Sequence, residues 1–161
     1  PVAKIYRGAL NMACLNLCVF NPSFLNLQEI EPEKPLDFGC IQPLMEQTST
    51  LKVWLDKLKS TEVPYDNRLI NENLGMWVRE TKACSYNTGF GKVKLASNTA
   101  VDAYKLLYEK EDSPYFVGEG ESTSMFNVYN AFTELISNAD TRDIVNKVEK
   151  TLLLRNILHL S

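Results

Sequence analysis

The stretch from Glu121 to Leu160 constrains the fold most, because it contains two successive helical patterns of apolar residues. In the first pattern the apolar positions recur at helical spacing, and they are Met125, Val128, Tyr129, Phe132, Leu135 and Ile136. In the second pattern they are Ile144, Val145, Val148, Leu152, Ile157 and Leu158. Ser122 to Ser124 offer an N-cap for the first helix, and Asp140 or Thr141 offers one for the second. The sequence therefore predicts a pair of helices around which the rest of the chain packs.

The remaining chain predicts a helix-dominated α+β fold with about five or six helices and a small β-hairpin or sheet. Further helices are expected over residues 8–20, 43–59, 67–85 and 98–109. Residues 2–6 are expected to form a short strand or an extended lead-in, and residues 24–30 a short strand or a loop lying on the core. A small hairpin or sheet is expected near 86–96 and 115–117. Gly75 weakens the helix over 67–85 by about 1 kcal/mol relative to alanine. The turn over 87–91 closes the predicted hairpin.

Length and composition indicate one ordinary globular domain, residues 1–161. The chain has 161 residues, of which 45% are hydrophobic and 23% are charged. A formal net charge of −3 argues against DNA binding by the whole surface but leaves room for a local basic patch. The sequence has no run of 18 apolar residues and no signal-peptide pattern, so we expect a cytoplasmic protein without a membrane partner.

The cysteines and the single histidine leave two interpretations open at each position. Cys14, Cys18, Cys40 and Cys84 supply four thiolates for zinc, but they lack the paired knuckle spacing of structural zinc sites, which favours buried thiols. His159 is the only candidate base for cysteine or serine catalysis, and its position beside a helix end favours a simple terminal charge.

Two further segments are candidate binding sites for phosphate or metal ions. Gly89-Phe90-Gly91-Lys92 lacks the first glycine and the final hydroxyl of a phosphate-binding loop. An acidic cluster offers oxygen ligands for Mg²⁺ or Ca²⁺, but it lacks the spacing of a calcium loop, which favours a hydrated loop; its members are Glu109, Glu111, Asp112, Glu119 and Glu121. We therefore predict no catalytic residues, no metal site and no cofactor.

A basic segment with interleaved aromatic residues is the strongest local signal for a nucleic-acid partner. Between residues 79 and 94 the sequence holds four cations and one acid, Glu80. Aromatic rings stack on the bases of a single strand while lysines contact its phosphates. The predicted nucleic-acid-binding residues are Arg79, Lys82, Tyr86, Phe90, Lys92 and Lys94. The alternative is a solvated turn whose two aromatic side chains pack inward.

Two segments resemble a family of phage and plasmid proteins of unknown function. Residues 6–16, YRGALNMACLN, resemble the family's G-x5-C-x-N segment. Residues 124–134, SMFNVYNAFTE, resemble its C-terminal N-x-Y-N-A-F-T-E helix. The resemblance implies a phage, prophage or plasmid origin, a location in the host cytoplasm, and a chain that is the C-terminal half of a longer protein. It carries over no catalytic residues.

Two functional hypotheses follow from these observations. The first is a non-enzymatic accessory factor that associates with DNA by binding or annealing single strands. The alternative is a structural or interaction module, such as a virion component or a host-factor binder, which self-associates or binds another phage or host protein. An enzyme is not predicted, because the sequence shows no catalytic set.

Overall fold

The computed structural model of the chain describes residues 3–7, 26–30, 48–87, 91–118, 120–139 and 144–160, and these form a helix-dominated α+β fold. The helices are α1 (Thr48–Ser60), α2 (Asn67–Ala83), α3 (Thr99–Tyr108), α4 (Met125–Asn138) and α5 (Ile144–Ile157). The strands are β1 (Ala3–Arg7), β2 (Asn26–Ile30), β3 (Glu62–Val63), β4 (Tyr86–Asn87), β5 (Lys92–Val93) and β6 (Thr123–Ser124). Within these ranges the strands pair in antiparallel twos, β1 with β2, β3 with β6, and β4 with β5.

The predicted pair of C-terminal helices lies at the centre of the packing. Helix α4 contacts α1, α3 and α5, while α5 contacts α2 and the β4–β5 hairpin. Ser124 caps α4 as expected, since its hydroxyl accepts a hydrogen bond of 3.2 Å from the amide of Asn127. Helix α5 encloses Leu153, Leu154 and Ile157 almost fully. The expected cap of α5 at Asp140 or Thr141 lies outside the described residues.

Two aromatic pairs attach the upstream helices to α4. Trp54 of α1 meets Tyr129 edge to face, with ring centroids 5.9 Å apart. Trp77 of α2 meets Phe132 in the same way at 5.8 Å. Because edge-to-face pairs add to the gain from burying apolar area, these contacts fix the positions of α1 and α2 on α4.

The prediction of a strand near 115–117 is wrong. Tyr115 and Val117 are buried, but the segment makes a turn, and the amide of Val117 donates a 2.7 Å hydrogen bond to the carbonyl of Leu107 at the end of α3. The side chain of Asn127 holds the segment from the other side by donating to the carbonyl of Tyr115. A short apolar run therefore packs inward without a neighbouring strand. Instead, β3 pairs with β6, and neither two-residue strand was predicted.

The other predicted elements agree with the structure where it describes them. The extended segments at 2–6 and 24–30 are the paired strands β1 and β2, and the hairpin predicted near 86–96 is β4–β5. The predicted helix over 8–20, the predicted start of α1 at Pro43 and three of the cysteines lie outside the described residues. No helix in the described ranges is long and apolar enough to cross a membrane.

Gly75 lies in the exposed interior of α2, and a Cβ atom added there meets nothing within 4 Å. We expect Gly75→Ala to raise the free energy of unfolding by about 0.5–1 kcal/mol, because alanine loses less backbone entropy than glycine in a helix. Urea denaturation of both proteins measures the difference. An unchanged or lower stability contradicts the placement of Gly75 on an open helix face.

Candidate nucleic-acid interface

The end of α2 presents the first two predicted cations to solvent. Asp66 begins this helix, since its carboxylate accepts hydrogen bonds from the amides of Arg68 and Leu69 at 2.8 and 3.3 Å. The helix then buries Ile70, Trp77 and Thr81 against the core. Arg79 and Lys82, which lie three residues apart, are exposed.

The β4–β5 hairpin carries the remaining described members of the predicted set. Tyr86 pairs with Val93, and Asn87 pairs with Lys92. Tyr86 is half-buried and packs against the core cluster, while Lys92 and Lys94 are exposed. The aromatic residue at this end of the set is therefore partly turned inward, and Phe90 lies outside the described residues. Gly91 has φ of +149°, a conformation that glycine adopts readily and that lets the chain enter β5.

The end of α5 lies against these two elements, and sequence reasoning missed its contribution. The exposed imidazole of His159 places Nε2 4.0 Å from Oε1 of Glu80 on α2. His159 itself has φ of +50°, and the amide of Leu160 donates to the carbonyl of Arg155, which closes the helix with a left-handed residue. Arg155, one turn earlier, is also exposed. Residues 80 and 159 lie far apart in the chain, so no sequence pattern predicts that their side chains come together.

Positive charge predominates among the exposed residues of these elements. We call the set Arg79, Lys82, Lys92, Lys94, Arg155 and His159 the basic face. Oε1 of Glu80 lies 4.0 Å from Nε of Arg79 and 4.0 Å from Nε2 of His159, so these two members of the basic face share one carboxylate. In the part of the chain that the structure describes, Lys82, Lys92 and Lys94 make no ion pair. Their ammonium groups are thus available to the phosphates of a ligand.

The surroundings of Cys84 disfavour its use as a nucleophile. Burial, and then the nearby carboxylate of Glu80, raise the pKa of the Cys84 thiol. A thiol with a raised pKa is a poor nucleophile because the thiolate is the reactive form. The arrangement of Cys84, Glu80 and His159 therefore does not resemble an activated cysteine site.

The acidic cluster lies mainly in the connection after α3. Glu109, Glu111 and Asp112 follow that helix directly, and these three and Glu121 are exposed. Glu119 lies outside the described residues. Of the side chains that are described, no three from histidine, cysteine, aspartate and glutamate lie close enough together to hold a metal ion.

Thr81 lies beneath the basic face, on the buried side of α2. It is 2% exposed, and within the described structure its hydroxyl has no hydrogen-bond partner. We expect Thr81→Val to raise the free energy of unfolding by about 1 kcal/mol, because an isosteric methyl group avoids the cost of burying an unpaired hydroxyl. Chemical denaturation checks this, and a loss of stability would show that the hydroxyl is paired.

Comparisons with known proteins do not assign the chain to a family. No family model, no curated protein and no solved structure matches it. The resemblance to phage and plasmid proteins therefore stays a prediction from two sequence segments.

Proposed function

We propose that the protein is a non-enzymatic accessory factor, encoded by a phage or plasmid, that binds or anneals single-stranded DNA. One observation carries the proposal, namely the exposed cations at the end of α2 and on the β4–β5 hairpin, two elements that both contact α5. Three of these cations, Lys82, Lys92 and Lys94, have no ion-pair partner in the described ranges. Concentrated positive charge on a chain of net charge −3 favours a specific anionic ligand over general attraction.

A single strand fits this surface better than a duplex. Binding to the phosphates releases counterions, which supplies affinity without sequence specificity. Two aromatic residues accompany the lysines: Tyr86 is half-buried on β4, and Phe90 precedes β5 in the sequence, outside the described residues. Unpaired bases stack on such rings, whereas the bases of a duplex are already stacked on each other. Tyr86 is partly turned inward, and the stacking role of Phe90 stays a prediction from the sequence.

The non-enzymatic part of the proposal is supported by the chemistry of the same surface. The single histidine of the sequence, His159, faces the carboxylate of Glu80. Since burial and Glu80 raise the pKa of the Cys84 thiol, this group stays protonated at neutral pH. The basic face is therefore suited to holding an anion rather than to transferring a group.

Fluorescence anisotropy with a labelled oligonucleotide tests the proposal. We expect the single strand to bind at low salt, the same sequence annealed as a duplex to bind more weakly, and both affinities to fall as salt is added. An annealing assay with complementary strands separates binding alone from strand pairing. Failure of the single strand to bind at low salt removes the proposed function.

A second function, a structural or interaction module, is favoured by two apolar side chains on the surface. Val53 of α1 is 68% exposed and Leu69 of α2 is 40% exposed. Exposed apolar side chains of this size contribute to association when they form part of a larger patch. Light scattering over a range of protein concentrations distinguishes a self-associating module from a monomeric DNA-binding factor.

A further inference from the structure

Three tyrosines form a continuous aromatic surface away from the basic face. Tyr65 lies in the loop before α2, and Tyr104 and Tyr108 lie one turn apart on α3. The ring centroids of Tyr104 and Tyr108 are 5.2 Å apart, and those of Tyr65 and Tyr108 are 6.3 Å apart. The rings are inclined to each other by 45° and 55°, and all three are half-buried. We call these residues the tyrosine row.

The tyrosine row has polar groups that the fold does not use. Elsewhere the buried Tyr115 donates its hydroxyl to the carboxylate of Glu134 at 3.2 Å. Within the described ranges the hydroxyls of the tyrosine row make no such bond. Burial, then the neighbouring Tyr104 and Tyr65, raise the pKa of the Tyr108 phenol. The phenol of Tyr108 therefore remains a hydrogen-bond donor at neutral pH.

The charges around the tyrosine row differ in sign from those of the basic face. Helix α3 ends at Tyr108, and the next four residues, all exposed, are Glu109, Lys110, Glu111 and Asp112. Lys105 on α3 is 3.7 Å from Asp102, which offsets its charge. Tyr65 precedes the start of α2, whereas Arg79 and Lys82 lie near its other end. A helix of 17 residues is about 25 Å long, so the two surfaces are separate.

We propose that the tyrosine row is a docking surface for an extended, proline-containing peptide segment that carries basic residues. Proline rings pack on inclined aromatic rings, and a polyproline II segment leaves its carbonyl groups free to accept from phenol hydroxyls. The acidic residues after Tyr108 attract a lysine or arginine of the same segment. This partner goes beyond the DNA-binding function and does not depend on it.

The same observations disfavour the other ligands that aromatic surfaces bind. Nucleobases stack on tyrosine, but their phosphates are repelled by the carboxylates of Glu109, Glu111 and Asp112. A neutral sugar stacks on aromatic rings equally well, but it gains nothing from the acidic residues. Charge complementarity therefore selects a basic peptide over both, and the experiment includes a neutral sugar as a competitor.

Fluorescence anisotropy with a labelled, proline-rich peptide bearing arginine at one end tests the inference on the full chain. We expect saturable binding that weakens when glutamate replaces arginine or when alanine replaces the prolines. Tyr104→Ala should weaken binding by about tenfold or more, because aromatic anchors dominate the affinity of such surfaces. Tyr108→Phe keeps the ring and removes the hydroxyl, and it should weaken binding by a smaller factor.

A charge variant keeps the test independent of folding, because it leaves the aromatic rings in place. Glu111→Lys should weaken binding of the basic peptide several-fold, while the matched control Asp56→Lys on α1 should leave it unchanged; both residues are exposed. Circular dichroism confirms that each variant is folded. Absence of peptide binding, equal affinities for the wild type and Tyr104→Ala, or displacement of the peptide by a neutral sugar would each overturn the inference.

Discussion

Phe132→Ala lowers the free energy of unfolding by about 3–5 kcal/mol, the cost of deleting a fully enclosed aromatic side chain. Phe132 is 0% exposed and lies on α4, where its ring meets Trp77 of α2 edge to face. The deletion removes buried area, leaves a cavity and breaks the aromatic pair that joins the two helices. Since a small domain has a total stability of about 5–15 kcal/mol, the variant is expected to be close to unfolding.

Urea denaturation followed by tryptophan fluorescence measures this effect, because Trp54 and Trp77 are both buried against α4. Phe132→Leu is the matched control, since it keeps an apolar side chain at the same position and should cost considerably less. The contrasting position is Leu69 on α2, which is 40% exposed. If Phe132→Ala and Leu69→Ala lowered the free energy of unfolding equally, the result would contradict a core centred on α4.

Lys82→Glu/Lys92→Glu/Lys94→Glu reduces the affinity for single-stranded DNA at low salt by about a hundredfold or more, because three phosphate contacts become repulsive. All three side chains are exposed, and none makes an ion pair within the described structure, so their reversal has little effect on folding. Anisotropy titrations with the single strand measure the loss, and circular dichroism confirms that the variant is folded.

The chain offers a control with the same change in charge. Lys52→Glu/Lys57→Glu/Lys110→Glu also replaces three exposed lysines, and each substitution changes the charge by −2, so both triple variants go from −3 to −9. We expect the control to keep most of the affinity, because its positions lie on α1 and after α3. If both triple variants lost affinity for single-stranded DNA equally, total charge rather than the basic face would govern binding.

Much of the fold was predictable because its determinants are local. The apolar spacing from Met125 to Ile136 identified α4, and Ser124 marked its cap. The turn pattern in the sequence of residues 87–91 predicted the β4–β5 hairpin, because small residues between two short extended segments are typical of a hairpin. By contrast, the buried segment at 115–117 was mistaken for a strand, since a short apolar run looks the same in both conformations.

The candidate sites were less predictable because they depend on contacts between distant residues. The approach of His159 to Glu80 joins positions that are far apart in the chain. The tyrosine row brings Tyr65 next to Tyr108, and neither residue has a sequence pattern that connects them. The direction of Tyr86 also depends on the packing of the hairpin against the core. Periodicity assigns a residue to an element, but it does not say which elements meet.

The salt dependence of single-stranded DNA binding tests the central claim most directly. For a single strand the logarithm of the affinity falls with the logarithm of salt concentration by about 0.7 for each phosphate neutralised, so contacts from Arg79, Lys82, Lys92 and Lys94 predict a slope of about −3. The triple variant Lys82→Glu/Lys92→Glu/Lys94→Glu should lose most of this slope. A wild-type affinity that does not change with salt, or a slope that the triple variant retains, would contradict the account.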